Sequence, residues 1–210
     1  MKKELSDLLG KMIIDHWDTL TIEETDPSAG LKSCVISHQG CNLFEIDIKS
    51  LIDPLRNMFK ETLLRKKCDK IFFITHNDIN YLFLVEMKTT MDKDEAYEAK
   101  DQINASFAKL MMFFNLIENF DSNKWKYIGL IVGRKGKELI TRLNDMVQIS
   151  PNKISPQDDF LLRLYAGDIK EGYCNLKIND NYKFRGSFNP VNAHADSVSV
   201  SVNLTDYINR

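Results

Sequence analysis

An α/β fold, with a mixed central sheet flanked by helices, is predicted by three features of this 210-residue sequence. Residues 69–88 carry two apolar runs around a polar Asn77-Asp78-Ile79-Asn80 turn, which reads as a hairpin. Asp92 or Asp94 then opens the longest helical stripe, to about residue 119, through Ile103, Phe107, Leu110, Met111 and Phe114. Tyr127 to Val132 follows as an unbroken apolar run, the pattern of a strand buried on both faces.

The other elements follow in chain order. Leu5, Leu8, Leu9, Met12, Ile13 and Trp17 form a helical stripe over residues 3–18. Thr25 to Gly30 is a loop, followed by strands at 31–37 and 42–48 joined at His38-Gln39-Gly40. Ser50 is placed to cap a helix over 51–67, with Pro54 tolerated in its first turn. A further helix is expected over 137–147. From Ser150 the texture changes: Pro151 and Pro156 mark a linker, and short strands are expected at 160–165, 173–178, 182–188 and 197–202. Residues 1–150 therefore read as the α/β core with its N-terminal helix and hairpin. Residues 151–210 read as a strand-rich extension packed on the same domain.

With 43% hydrophobic and 28% charged residues, the chain is long enough to bury a core without disulfides. Cys34, Cys41, Cys68 and Cys174 show no metal-ligand spacing, and the four histidines are scattered, which argues against zinc. Cys34 and Cys41 are placed to face each other across the first hairpin, as reduced thiols. No signal peptide is visible and the apolar runs are too short to span a bilayer, so the expected location is cytoplasmic and off the membrane.

The hairpin carries the chemistry. Directly opposed residues share a face, and side chains alternate along a strand. The even-numbered loop therefore sends Asp69, Glu86 and Lys88 from one face, close together. Two carboxylates and an ammonium at a strand end can hold a divalent cation and handle a phosphate. The plainer alternative is a surface pair at a strand terminus, with Asp69 merely turning the chain. Asp47-Ile48-Lys49 repeats the acid-x-Lys letters without a preceding Asp strand and ranks below.

This arrangement resembles the PD-(D/E)XK nuclease superfamily, the restriction-endonuclease-like fold. Asp69 matches the lone Asp, Glu86 the acid of the E-x-K and Lys88 its lysine, while Cys68 stands where Pro is common. The resemblance covers residues 50–133. It implies a Gln or Lys from the following helix, met by Gln102 with Lys100 as second candidate. The Q-x-x-x-Y pattern of one branch is not met, because Ser106 stands at the Tyr position. An acid from an upstream helix is also implied, with Glu61 the candidate.

The implied activity is Mg²⁺- or Mn²⁺-dependent endonuclease hydrolysis of phosphodiester bonds, with DNA the expected substrate. Asp69, Glu86 and the Met87 carbonyl are the implied metal ligands; Lys88 and Gln102 are the implied catalytic partners. Genome defence, such as antiviral restriction, or repair is the implied setting, with a protein partner or homodimer. A non-catalytic scaffold or partner subunit of the same fold is the competing class.

Formal net charge is −2, which counts against indiscriminate nucleic-acid binding. Basic residues nevertheless cluster at Lys60, Arg65, Lys66, Lys67 and Lys70, and at Lys124, Lys126, Arg134, Lys135 and Lys137. Lys66, Lys67, Lys100, Arg134, Lys135 and Lys137 are the candidate phosphate contacts; a solvated face explains the first cluster equally well. Gly133-Arg134-Lys135-Gly136 also resembles the G-x-x-G loop of a KH nucleic-acid-binding domain. A strand-to-helix turn accounts for the same letters.

Overall fold

Hairpin and crossover pairings build an open, mixed sheet of seven strands in a computed structural model. It describes residues 10–56, 63–118, 120–135, 141, 143, 145, 154–166, 186–194 and 196–208. Strands β1 (Ile13–Glu23), β2 (Ser33–Ile46), β3 (Lys70–His76), β4 (Ile79–Thr90), β5 (Trp125–Arg134) and β6 (Gly186–Ala193) lie in that order. Strand β7 (Ser199–Asn203) runs parallel to the first half of β2, beyond the reach of β3. β1 through β4 pair antiparallel, whereas β4–β5 and β5–β6 are parallel.

Helix α1 (Ile48–Leu51) and α2 (Asp53–Arg56) follow β2, and α3 (Lys93–Phe114) makes the β4-to-β5 crossover. Helix α4 (Pro156–Ala166) precedes β6 and α5 (Thr205–Ile208) follows β7. The α3 stripe of Ala99, Ile103, Phe107 and Leu110 covers the sheet face that presents Ile71, Phe73, Leu82 and Leu84. Phe72, Phe83 and Val85 face the other way and pack with Leu20, Ile22, Cys34, Ile36, Val202 and Ile208. Burying both faces explains the unbroken apolar runs of β3, β4 and β5.

Several expected elements differ. The helix over 3–18 is a strand from Ile13 onward, and residues 3–9 lie outside the described residues. The β-branched pair Ile13-Ile14 favours extension, and pairing to Glu45 and Ile46 supplies the long-range contacts that override the stripe. The two strands joined at His38-Gln39-Gly40 are one strand, β2. Its register against β1 slips between Trp17 and Thr19, where Gly40 has φ +74° and its N–H donates to Asp18 Oδ1 at 2.7 Å. Inward residues change parity there, from Cys34 and Ile36 to Leu43. Cys34 and Cys41 therefore lie along one strand as free thiols, and burial pushes Cys34 up to about 12.

Of the helix expected over 51–67, α2 is helical and Leu63–Arg65 is a 3₁₀ turn followed by irregular chain, while 57–62 lie outside the described residues. Its cap is Asp47, not Ser50: Asp47 accepts from the Lys49 N–H at 3.0 Å and the Ser50 hydroxyl at 2.6 Å. The expected strand at 160–165 is helix α4. Its signal is Ser155-Pro156-x-Asp158, a capping serine with proline in the first turn, and the Asp158 N–H donates to Ser155 Oγ. Residues 173–178 lie outside the described set, and 141, 143 and 145, the described part of the expected 137–147 helix, are helical.

Gly133 lies inside β5, between β4 and β6, so the helix-to-helix geometry of a KH loop does not arise. A Cβ there would approach Met91 within 2.9 Å, which accounts for the glycine by packing alone. No helix among the described residues is long and apolar enough to cross a membrane.

Candidate functional site

The β3–β4 turn sets the register that assembles the site. Asn77 and Asp78 both have positive φ, 50° and 61°, as a two-residue hairpin turn of matching twist requires. Pairing runs from His76–Ile79 down to Lys70–Val85, and the Asp69 N–H extends it to the Val85 carbonyl at 3.0 Å. Asp69 thus stands opposite Glu86 at the end of the hairpin. Glu86 and Lys88 continue the row of Leu82 and Leu84 that faces α3.

Glu86 is 2% exposed, and its Oε2 has no hydrogen-bond partner. Burial first, and then the charge of Asp69, push its carboxyl well above the usual range; Lys88 and the Asp69 N–H oppose them. Asp69 accepts the Met87 N–H at 2.7 Å and is open to solvent on one side. The surrounding walls still desolvate its carboxylate, and with Glu24 they raise it against the Met87 N–H, Lys88 and Lys67.

The Lys88 ammonium meets Gln102 Oε1 at 2.7 Å, Glu86 Oε1 at 3.3 Å, Glu98 Oε2 at 3.3 Å and Glu95 Oε2 at 4.0 Å. Burial disfavours its charge, but Glu86, Glu98 and Glu95 outweigh that and raise it. The Asp69 segment is fastened to α3 from below. Gln102 Nε2 donates to the Lys67 carbonyl at 3.2 Å, Lys109 Nζ to the Lys66 carbonyl at 2.6 Å, and the Cys68 N–H to Ser106 Oγ at 2.8 Å. Gln102 therefore ties Lys88 to the backbone that positions Asp69.

Ser106, which breaks the expected tyrosine pattern, satisfies a buried N–H beside the site. Ser106→Ala leaves that donor unpaired and is expected to cost about 1–3 kcal/mol of unfolding free energy, measured by urea denaturation.

A cleft of about 430 Å³ opens beside Asp69 and Met87, room enough for a hydrated ion and a phosphate group. Its walls carry five carboxylates (Glu23, Glu24, Glu45, Asp47, Asp69) against three lysines (Lys49, Lys67, Lys70). Lys70 is held by Glu45 Oε1 at 2.6 Å, and His16 Nε2 holds the other Glu45 oxygen at 2.8 Å. A net acidic cleft repels phosphate and attracts cations. Among the described residues, no three His, Cys, Asp or Glu side chains gather as a metal-holding group. Asp69 and Glu86 bring two carboxylates together, joined to the main chain at Met87 through the N–H that Asp69 accepts.

The remaining candidates are scattered. Lys66 lies 3.8 Å from both Glu98 and Asp101. Lys67 pairs with Asp53 at 2.8 Å and, alone among the described phosphate-contact candidates, lines the cleft. Lys100 is buried with its ammonium 3.4 Å from the Tyr97 ring centre, a cation–π contact within the helical layer. Arg134 donates to the Ser197 carbonyl at 2.8 Å, binding β5 to the β7 approach. Lys135 is exposed; Lys137 and Glu61 lie outside the described residues.

Sequence reasoning missed Glu24 and the linkage of His16, Glu45 and Lys70; Lys49 and Lys70 were noted only in the competing acid-x-Lys letters and the first basic cluster. Glu24 and Glu45 reach the cleft from the end of β1 and from β2, Lys49 from α1, and His16 on β1 bears on it through Glu45, where no local pattern links them to the hairpin that Lys70 opens. Asp47, noted in the competing acid-x-Lys letters, is spent on capping α1, and the Ser50 hydroxyl first of all holds it below the usual range. No family model matches the chain, and neither a curated protein nor a solved structure matches it.

Proposed function

We propose that this protein is a metal-dependent nuclease of the PD-(D/E)XK type, hydrolysing phosphodiester bonds with DNA as substrate. The observation that carries the reading is the Asp69–Glu86 pair, opposed at one strand end beside Lys88, with Glu86 Oε2 buried and unpartnered. A buried carboxylate oxygen without a donor is costly unless a cation meets it. That orphan oxygen and the all-oxygen donor set suit Mg²⁺ or Mn²⁺, which prefer carboxylate, carbonyl and water ligands.

Asp69, Glu86 and the Met87 carbonyl would hold the ion. When bound, it supplies a water of lowered pKa and neutralises charge on the scissile phosphate. Lys88 stabilises negative charge developing on a phosphate oxygen. Gln102 positions the Lys88 ammonium, and Lys67 and Lys70, paired with Asp53 and Glu45, would face the substrate backbone once a bound ion offsets the negative charge of the cleft.

The test is cleavage of supercoiled plasmid, linear duplex, single-stranded DNA and RNA, with Mg²⁺, Mn²⁺ or EDTA. DNA cutting that requires the metal and stops in EDTA is expected. Failure to cut every substrate, together with no Mn²⁺ binding by calorimetry, would sink the nuclease reading in favour of a non-catalytic scaffold.

A further inference from the structure

The Lys88 ammonium has three N–H donors, and its three nearest acceptors are Gln102 Oε1, Glu86 Oε1 and Glu98 Oε2, with Glu95 Oε2 farther off at 4.0 Å. Two of the donors are taken by Gln102 and Glu98, and the third faces the Glu86 carboxylate at 3.3 Å rather than the cleft. The cleft, moreover, is lined by Asp69 and Met87 but not by Lys88, whose head group lies against α3. One of the three contacts must therefore open before Lys88 can touch a substrate.

The three differ in how readily they open. Glu86 is buried and opposed to Asp69, and Gln102 is anchored through its other amide atom to the Lys67 carbonyl. The Glu98 side chain is 50% exposed and, among the described residues, has no anchoring hydrogen bond to backbone. A second cation is also waiting for it: Lys66 Nζ lies 3.8 Å from Glu98 Oε1. Release of Lys88 leaves Glu98 with Lys66, so its charge is not stranded.

We infer that Glu98 is a latch, holding the Lys88 ammonium against α3 at rest and surrendering it to a substrate phosphate oxygen. Glu98 is thus a positioning residue that competes with substrate, and this inference rests on the nuclease reading of the same site. Binding becomes an exchange of partners: Lys88 leaves Glu98 for phosphate while Glu98 turns to Lys66. Loss of the latch tightens substrate binding, because substrate no longer has to displace a resident carboxylate.

Two measurements on the full chain test the latch. Trace acetylation with acetic anhydride at one fixed pH, read by mass spectrometry against Lys49 as internal reference, reports how firmly the Lys88 amine is held, through its access and its bound proton together. Glu98→Ala is expected to raise Lys88 labelling two- to fivefold, on the order of one surface ion pair, and Glu98→Asp to bring it back toward wild type. KM for a DNA oligonucleotide should fall by about the same factor in Glu98→Ala with kcat little changed. Unchanged Lys88 labelling in folded Glu98→Ala overturns the latch, as does a KM that does not fall in an active enzyme. Raised labelling in a protein that cuts no nucleic acid keeps the Glu98 contact and removes the nuclease reading instead.

Discussion

Lys88→Ala is expected to lower metal-dependent DNA cleavage at least about 100-fold, the usual cost of losing one donor aimed at developing charge. Mn²⁺ binding should survive, because the Asp69 and Glu86 oxygens proposed to hold the ion are untouched. Glu86→Ala should lose both activity and ion binding. Its carboxylate is the buried member of the pair, and neither Lys88 nor Asp69 can replace its oxygens. Plasmid nicking and calorimetric Mn²⁺ titration on the same preparations separate the two variants. Cutting at wild-type rate by Lys88→Ala would place the reaction elsewhere. The Ser106→Ala protein, destabilised but with all site oxygens present, controls for general loss of folding.

The second large effect is on stability against pH. Glu86 and Asp69 both have carboxyls raised in the folded state, chiefly by desolvation. A raised acid binds its proton more tightly folded than unfolded, so folding is favoured below the ordinary carboxylate pKa. That contribution is lost as pH rises through the raised folded value. The metal-free protein should therefore melt lower as pH climbs above the ordinary carboxylate range. Glu86→Gln removes the buried charge and should melt about 3 °C higher than wild type at pH 8, with little difference at pH 4. Mn²⁺ should reverse the trend in the wild type alone, raising its melting temperature more at pH 8 than at pH 5.5. A melting temperature of Glu86→Gln below wild type at pH 8 would mean that Lys88 outweighs burial at this carboxylate.

Local signals served well where they were strong and short in range. The turn expected at Asn77–Asn80, which tightens to Asn77-Asp78, the apolar run of β4 and the Asp92 or Asp94 start of α3 each lie within a few residues of what they specify. Of the two candidates Asp92 is the cap, accepting the N–H groups of Asp94 and Glu95. Residues 13–18 failed for the opposite reason. Their 3.6-residue spacing was genuine, but an edge position beside β2 outbid a weak helical preference. The bulge at Gly40 was read as a chain reversal because glycine suits both, and only the partner strand distinguishes them.

By itself, the sequence determined the hairpin register, and with it the meeting of Asp69, Glu86 and Lys88, because strand alternation and loop parity are local geometry. It also determined the α3 helix that carries Gln102. Only the tertiary structure decided what surrounds those groups. Glu24, Lys49 and the His16–Glu45–Lys70 chain come to the cleft through β1–β2–β3 pairing across tens of residues. The fastening of Lys66 to Cys68 by Lys109, Gln102 and Ser106, and the hold of Glu98 on Lys88, arise from how α3 lies on the sheet. Charge state and access depend on burial and on neighbours distant in sequence, which no local pattern encodes.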